Sequence, residues 1–543
     1  MKCCHRFVGL FVLALLITAC GASSNSASNP ITAPSASPAG ATTQAVGATV
    51  ASTASTQPSG QFIIGSLEEP GNLSPLIDLS HHFPEHVPQT MMFDSLIQFM
   101  PDSTIHPKLA ASWDISPDGK VYTFKLNPKA KWWDGSPVTA DDVKFTFDAM
   151  MNDKTGSSIE GVEPVDTVVV VDAQTVKITL KALSPLFLAQ GGSRGIVPSK
   201  LLKGQDLTKA EFNRKPMGSG PYKFVSWQQG SALVLEANTD YFQGVPQIGR
   251  IIFKVLPNQN VILTQLKSGE INYALIGARD LEPVKAIPGT KVYENPSPRF
   301  FDIAPNYKLE FFADRNVREA LLTGIDRQGI VDKVLQGHGV VIDSNAAPAS
   351  WAYNPNVPKH PYDPAQAKKM LAAAGYTPGP DGILAKNGKP LKFTVMINAF
   401  DATLQQVLTV AQQELKDIGV TMIVGPVEAG VFNSRRSKGD FDALSRVWNP
   451  VYDPDQDGLN KTGNFYGYSN PQVDQMGKAA LAINDQAARK KLYLDEQVIL
   501  SKDVTRLWLY SENELHAVNL PLVGPQNHPV NFFWNLWQWE IKK

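Results

Sequence analysis

The chain has 543 residues, of which 43% are apolar and 19% are charged, and its formal net charge is -1 at pH 7. This length predicts about two to four lobes with cores of their own, and the composition excludes wholesale disorder. A net charge near zero provides no basic field, so nucleic acid is excluded as a partner.

The first twenty residues indicate export. Lys2 and Arg6 precede an apolar run, 7–17, which is too short to remain as a membrane helix. The run ends in LITAC, which is similar to the bacterial lipobox. Residues 1–19 are therefore predicted to be a lipoprotein signal peptide and Cys20 the lipidated N-terminus. The alternative is an ordinary signal peptide with a chance cysteine.

Residues 20–60 are predicted to be the lipidated cysteine and a tether. The segment is almost entirely Ala, Ser, Thr, Gly, Pro, Asn and Gln, so it has too little apolar surface to offset the entropy of ordering. The other two cysteines lie in the signal segment, so the cleaved chain has no intrachain disulfide. This layout predicts an extracytoplasmic protein that contacts the membrane through its lipid only.

The first half of the body shows strand patterns, a hairpin and a capped helix. The predicted elements are a strand at 61–67, a helix near 87–99, a strand from 120, a helix from the capping box at Thr139 to about Met151, and a hairpin over 167–180.

The second half alternates helix and strand. The predicted elements are two short helices over 316–335, a helix from the cap Asp363 to just before Gly375, a strand at 392–397, a helical stripe over 404–418 and a strand at 420–424. The last three predict a β-α-β unit, and hence an α/β lobe with parallel pairing.

Two short motifs raise the possibility of catalysis. Ser193 lies in G-x-S-x-G, but Pro198 follows soon after and a nucleophile elbow needs a strand before the serine and a helix after it. His82 to His86 matches H-x-x-E-H, but Pro84 disfavours the helix that this zinc motif requires. A glycine-rich loop and an exposed loop are the favoured interpretations, and a serine hydrolase remains an alternative.

A third motif begins like a calcium loop. Asp453, Asp455 and Asp457 alternate before Gly458. The twelfth position should be a glutamate but is Asn464. The sequence therefore disfavours calcium, and no metal or other cofactor is predicted.

Several long segments resemble the extracytoplasmic solute-binding proteins of peptide and nickel ABC transporters, known as family 5. The segments occur in the family's order and cover residues 61–543: HPKLAASWDISPDGKVYTFKLNPKAKWWDGSPVTADDVKFTFDAM from His106, MGSGPYKFVSWQQGSALVLEANTDYFQG from Met217, NVREALLTGIDRQGIVDKVLQGHG from Asn316, 362–376 and GYSNPQVD from Gly467.

The resemblance implies an α/β, two-lobed periplasmic-binding-protein fold of the cluster C type, with a hinge and a ligand cleft. Lobe I is expected to be discontinuous and to carry an extra subdomain. The implied boundaries are 61–95, 215–280 and 515–543 for lobe I, 96–214 for the inserted subdomain and 281–514 for lobe II.

The resemblance also implies a position for the loop that contains Asp453, Asp455 and Asp457, which is called the acidic loop. In this family a Trp-containing loop of lobe II faces the cleft, which implies ligand contacts for Trp448 and Tyr452. Peptide-binding members carry an Asp three residues after the Trp, where it holds the peptide ammonium. Here Val451 stands at that distance, so the anchor is missing or displaced to Asp453 or Asp455. Asp453 is expected to order the loop through an Asx-type bond.

The nickel-binding members offer a second comparison. The Trp448 to Tyr452 spacing is closer to theirs, and they carry an arginine four residues before a proline, as Arg194 precedes Pro198. Its guanidinium could fix a carboxylate. These members also use a histidine shortly after the Trp loop, which this chain lacks.

Further ligand contacts are predicted at positions near the lobe junctions. For each of these residues, a role in packing or in a turn is as well supported as a role in binding. They are Glu69, Asn72, Ser219, Phe301 and Asn306.

The resulting hypothesis is a lipid-anchored, monomeric binding protein without enzymatic activity. It captures a peptide or a peptide-sized solute and delivers it to an ABC permease. The alternatives are a nickel–metallophore complex or an oligosaccharide in the same fold, and a secreted hydrolase that uses Ser193.

Overall fold

The computed structural model describes residues 57–77, 83–152, 161–399, 401–449, 453–455 and 460–542. Within these ranges no helix is both long and apolar enough to cross a bilayer.

Most strands are short, and one, β22, is twelve residues long. The strands are β1 Ser59–Ser66, β2 Ile97–Phe99, β3 Ile105–Pro107, β4 Ala110–Ile115, β5 Val121–Leu126, β6 Val165–Asp172, β7 Thr175–Leu180, β8 Tyr222–Gln228, β9 Ala232–Ala237, β10 Ile248–Val255, β11 Tyr273–Ile276, β12 Lys291–Pro296, β13 Phe300–Pro305, β14 Gly339–Val341, β15 Thr377–Pro378, β16 Leu384–Lys386, β17 Lys389–Pro390, β18 Lys392–Asn398, β19 Thr421–Val427, β20 Ala443–Leu444, β21 Val447–Trp448, β22 Leu507–Val518, β23 Leu522–Val523 and β24 Glu540–Ile541.

The helices concentrate in the second half of the chain. They are α1 Phe83–Met92, α2 Ala140–Met151, α3 Ser199–Leu202, α4 Gln259–Ser268, α5 Leu281–Lys285, α6 Glu310–Ala313, α7 Arg315–Thr323, α8 Arg327–Lys333, α9 Pro364–Ala373, α10 Ala402–Asp417, α11 Ala429–Lys438, α12 Pro471–Ala480 and α13 Gln486–Lys502.

One thirteen-stranded sheet runs through the described body, in the order β19-β18-β20-β13-β22-β11-β1-β10-β9-β8, with β12, β14 and β21 paired beside this path. The long strand β22 joins its two halves. The first part of β22 pairs with β13 and β14, and the second part pairs with β11 and β12. A single central strand thus contributes to both halves of the sheet.

Two large cores lie around these two halves. The first core includes Phe62, Tyr122, Leu235 and Trp539, and the part of the chain that surrounds it is called lobe I. The second core is drawn from residues 301–510, and the part that surrounds it is called lobe II. The predicted boundaries of the lobes stay predictions.

A separate four-stranded sheet, β4-β5-β7-β6, lies within the predicted inserted subdomain. The predicted hairpin is confirmed as β6 and β7, with Asp172 paired to Thr175 at the turn. The predicted capped helix is α2. The Asp142 carboxylate accepts hydrogen bonds from the backbone N–H of Thr139 at 2.9 Å and from its hydroxyl at 3.0 Å.

The predicted β-α-β unit is confirmed as β18, α10 and β19. The two strands pair in parallel from Lys392 opposite Thr421 to Asn398 opposite Val427. The apolar stripe of α10 is buried in the second core, as the 3.6-residue period predicts. The two short helices over 316–335 are α7 and α8, and Asp363 caps α9 through the backbone N–H of Gln366.

The prediction of a helix near 87–99, preceded by a loop, is wrong at both ends. Helix α1 begins at Phe83 and ends at Met92, and residues 97–99 form a strand. Pro84 is the second residue of the helix, where its missing N–H would have had no intrahelical partner in any case. His81 and His82 lie outside the described residues.

Candidate functional site

The Trp448 side chain is buried within lobe II and does not project into solvent. It is 5% exposed, and its indole Nε1 donates a 2.8 Å hydrogen bond to Oδ1 of Asp302. Strand β21 holds it there, because Phe300 is its partner on β13. The ring of Tyr466 packs edge-on at 6.4 Å between centroids. These contacts fix the orientation of the ring that was predicted to contact ligand.

Arginines surround the same ring. The guanidinium carbons of Arg446 and Arg506 each lie 4.7 Å from the Trp448 ring centroid, within range of a cation–π interaction. Arg506 also donates to Oδ2 of Asp302 at 2.8 Å. Asp302 is fully buried, and burial raises its pKa while Arg506 opposes that shift. One buried carboxylate therefore holds both the tryptophan and an arginine.

Asp453 orders its loop as predicted. Its Oδ1 accepts the backbone N–H of Asp455 at 3.0 Å, which is the expected Asx-type bond. The structure adds a partner that the sequence did not indicate, Arg489 of α13, which donates to both oxygens at 2.7 and 2.8 Å. Arg489 also contacts the hydroxyl of Tyr493 at 2.7 Å. A bidentate, buried pair of this kind occupies both oxygens of the predicted ligand contact.

The far end of the acidic loop is fastened to the same helix. Asn460 donates to Oε1 of Glu496 at 2.9 Å, and Glu496 lies seven residues after Arg489 on α13. Burial raises the pKa of Glu496 to about 7, although the hydrogen bond from Asn460 acts to lower it. Burial, followed by the charge of Asp453, raises the pKa of Asp455 to about 6. Tyr452 and Asp457 lie outside the described residues, as does Cys20.

Arg194 is buried on the lobe I side, where it is 9% exposed. Its charge acts on His86 of α1, whose pKa falls to about 4 through burial first and Arg194 second. Ser193, the residue before it, donates from its hydroxyl to the carbonyl of Gln190 at 3.0 Å. A π-helical turn, Phe187–Gly191, stands where a nucleophile elbow requires a strand.

Ser219 belongs to a buried polar network in lobe I. Its hydroxyl donates to Oδ2 of Asp94 at 3.0 Å. The other oxygen of Asp94 accepts from Tyr241 at 2.9 Å and lies 3.2 Å from the Lys108 ammonium. Ser219 is 1% exposed, so the structure brings it to Asp94 rather than to an open surface.

Glu69 and Asn72 make turn and hairpin contacts. Glu69 accepts from the backbone N–H of Gly230 at 2.9 Å, at the turn between β8 and β9. Asn72 accepts the N–H of Ser74 at 2.9 Å in an Asx-type turn.

Phe301 and Asn306 lie inside lobe II. Phe301 stacks on Tyr510 with 4.7 Å between ring centroids. The Asn306 amide donates to the carbonyls of Phe441, at 2.7 Å, and of Gly439, at 3.2 Å. Of the predicted set, Trp448 and Phe301 lie on paired strands, since Phe301 is opposite Val447 and Phe300 is opposite Trp448. Asp453 instead contacts Arg489.

A crevice lies beside Asp453 and Pro454. Phe99, Met100, Ser103 and residues 528–530 line its lobe I side, and Pro298, residues 349–351, Asp453 and Pro454 line the opposite side. His528 is held neutral, because burial lowers its pKa to about 4. The lining mixes apolar and aromatic side chains with the polar side chains of Ser103, Ser350, Asp453 and His528.

Sequence reasoning missed Arg446, Arg489, Arg506 and the aromatic crevice residue Trp351. Arg446 precedes Trp448 by two residues. Because side chains alternate along an extended chain, the sequence could have predicted that both lie on the same face. The other three come from distant parts of the chain, and no local signal identifies them. Among the described residues, no three His, Cys, Asp or Glu side chains are grouped so as to hold a metal ion.

Comparison with known proteins gives a consistent family. The model for bacterial extracellular solute-binding proteins, family 5 Middle, matches residues 104–470. The chain is 31% identical to the oligopeptide-binding protein AppA of Bacillus subtilis (strain 168), with 98% of each chain covered. It is 26% identical to the probable D,D-dipeptide-binding periplasmic protein DdpA of Escherichia coli (strain K12), over 87% of this chain and 92% of that protein.

Comparison with solved structures points to the same family. AppA from Bacillus subtilis in complex with a nonapeptide has a TM-score of 0.78 at 31% identity, covering 90% of this chain and 100% of that one. NikZ from Campylobacter jejuni in complex with Ni(L-His) has a TM-score of 0.78 at 29% identity, covering 88% and 99%. These neighbours confirm the two-lobed α/β fold. The chain belongs to family 5 of the bacterial extracellular solute-binding proteins.

Proposed function

We propose that this protein is the lipid-anchored binding component of an ABC importer, which captures a peptide or a peptide-sized solute between its lobes and delivers it to the membrane permease. The observation that carries the proposal is the likeness to AppA, which extends over 98% of both chains and includes a structure of AppA with a nonapeptide. The crevice that residues of both lobes line supports it.

The anchor rests on the sequence alone. Cys20 follows an apolar run and precedes a tether, and no other cysteine follows it. Cys20→Ala should release the protein from the membrane fraction into the soluble extracytoplasmic fraction. A variant that stays with the membrane would contradict the lipid anchor.

A nickel complex is the second candidate. NikZ, which was solved with Ni(L-His), is 29% identical and covers 88% of this chain. The absence of histidine between His360 and His516 in the sequence argues against a histidine ligand from the loop after Trp448.

Native mass spectrometry of the mature chain, purified in mild detergent from its own host, tests these candidates. An added mass that fragments as a peptide supports the proposal. A nickel isotope pattern with histidine supports the second candidate, and a ladder of hexose masses supports an oligosaccharide. Hydrolysis of added peptides that is lost in Ser193→Ala would instead indicate a hydrolase.

Two substitutions then test the contacts. Trp448→Ala should weaken retention of the ligand if the ring covers it, whereas unchanged retention with a lower melting temperature would mark Trp448 as a core residue. Arg194→Ala should weaken the binding of anionic ligands more than the binding of neutral ones. Equal losses would contradict a carboxylate contact at Arg194.

A further inference from the structure

The Trp448 region of lobe II carries more positive than negative charge. Arg446 and Arg506 lie over the indole ring, and Arg436 of α11 lies 5.8 Å from the ring centroid of Phe465, which packs against Tyr466. Among the residues that the structure describes, the carboxylate within this group is that of Asp302, which Arg506 and the indole N–H already share.

Arg446 has no such partner within the described part of the chain. Its one hydrogen bond runs from Nε to the carbonyl of Val447 at 3.1 Å, and neither it nor Arg436 forms an ion pair with a carboxylate there. The side chain of Arg446 is half-buried. Burial, followed by the charge of Arg436, lowers the pKa of Arg446, while Tyr466 and Asp302 act in the opposite direction. A half-buried cation beside other cations is unfavourable unless an anion joins it.

Two buried donors lie in the same packed cluster. Within the described ranges the hydroxyl of Tyr466 and the indole Nε1 of Trp508 have no hydrogen-bond partner, and both side chains belong to the apolar cluster of Trp448. Tyr466 and Arg446 are close enough for each charge to influence the pKa of the other. Buried donors of this kind normally have an acceptor, so the cluster lacks acceptors as well as negative charge.

We propose that Arg446 binds a carboxylate of the ligand beside the Trp448 ring, so that a captured peptide places its C-terminal carboxylate, and not its ammonium group, at this end of the site. A planar guanidinium stacked on an aromatic ring presents its remaining N–H groups in the plane, where a carboxylate accepts two of them. This inference rests on the proposed peptide-binding function.

The test compares two degenerate nonapeptide mixtures that differ only at the C-terminus, one with free carboxylates and one with amides. The mature protein in detergent is titrated with each mixture, and occupancy is measured by native mass spectrometry. The wild-type protein should bind the free acids roughly 10- to 100-fold more tightly than the amides, the range expected for a charge-assisted hydrogen-bonded pair.

Arg446→Gln should remove this preference, and Arg446→Lys should keep part of it. Arg435→Gln is the matched control, since Arg435 lies on α11 and pairs with Asp440 at 3.0 Å. It should bind acids and amides as the wild-type protein does. Equal binding of acids and amides by the wild-type protein, or a preference that survives in a folded Arg446→Gln variant, would overturn the inference while leaving peptide binding intact.

Failure of both peptide mixtures would instead overturn the proposed peptide function. The same variants are then titrated with nickel–histidine and nickel–histidinamide, which differ in the same way. A preference for histidine that Arg446→Gln abolishes would support the carboxylate site. No preference, or no binding of either complex, would overturn it.

Discussion

The indole N–H of Trp448 and the guanidinium of Arg506 bind the two oxygens of one carboxylate, that of Asp302, each at 2.8 Å. Asp302 lies on β13, and Arg506 directly precedes the long strand β22. The contact thus fixes the tryptophan to the sheet that runs through both lobes. A ligand that touches Trp448 would touch a ring with little freedom to rearrange, which reduces the entropy lost on binding.

Removing that carboxylate should destabilise the protein strongly. Asp302→Ala leaves Arg506 buried without its partner, so we expect a loss of about 3–5 kcal/mol in the free energy of unfolding, measured by urea denaturation. The control is Asp148→Ala, which breaks the exposed pair with Lys144 and should cost no more than about 1 kcal/mol. Equal losses in the two variants would contradict the structural role of Asp302.

The bidentate pair of Asp453 and Arg489 should order the acidic loop. Arg489→Lys keeps the charge but cannot reproduce two parallel hydrogen bonds, so stability should fall by about 1–3 kcal/mol. Limited proteolysis should show faster cleavage near residues 453–460. Lys491→Ala, on the exposed side of the same helix, should leave both measurements unchanged, and a similar change there would count against a specific role for the pair.

Glu496 should make the stability depend on pH near neutrality. Its pKa in the folded protein is raised from 4.5 to about 7, so the folded state holds a proton that the unfolded state has released between these values. Stability therefore falls as pH rises through this window, by roughly 3 kcal/mol in full.

Glu496→Gln removes that titration while it keeps an acceptor for Asn460. The variant should match the wild type at pH 5 and exceed it at pH 8 by roughly 1–3 kcal/mol, as measured by thermal unfolding at both pH values. Asp495→Asn, whose carboxylate is exposed, should keep the wild-type slope. A wild-type stability that rises from pH 5 to pH 8 through Glu496 would contradict the raised pKa.

Gly218 should tolerate no side chain. A Cβ atom there would lie 1.8 Å from the carbonyl oxygen of Met92, a backbone atom that cannot rotate away. Gly218→Ala should therefore lose more than about 3 kcal/mol of stability. Gly277→Ala has open space and φ of -82°, so it should be neutral or gain about 0.4–1 kcal/mol. A stable Gly218→Ala variant would show that the backbone at the end of α1 can shift to admit the methyl group.

The predicted helices and strands that were correct depended on nearby residues. Thr139 with Asp142, Asp363 with Gln366, and the alternation of β6 and β7 involve partners within a few positions of one another. The same local logic fails at α1, because Pro84 disfavours a helix in the sequence but stands in the first turn of this one. The Asx-type bond of Asp453 was predictable because its partner is two residues away.

The sequence by itself determined the β-α-β unit and the family, since these depend on short-range periodicity and ordered motifs. Only the tertiary structure decided what the candidate side chains contact. Asp302 meets Arg506 across 204 positions and Asp453 meets Arg489 across 36, while Ser219 meets Asp94 across 125. The packing of the sheet and helices determines such partners, because a buried charge needs a counter-charge close to it in space. No periodicity along the chain indicates which distant residue will supply that counter-charge.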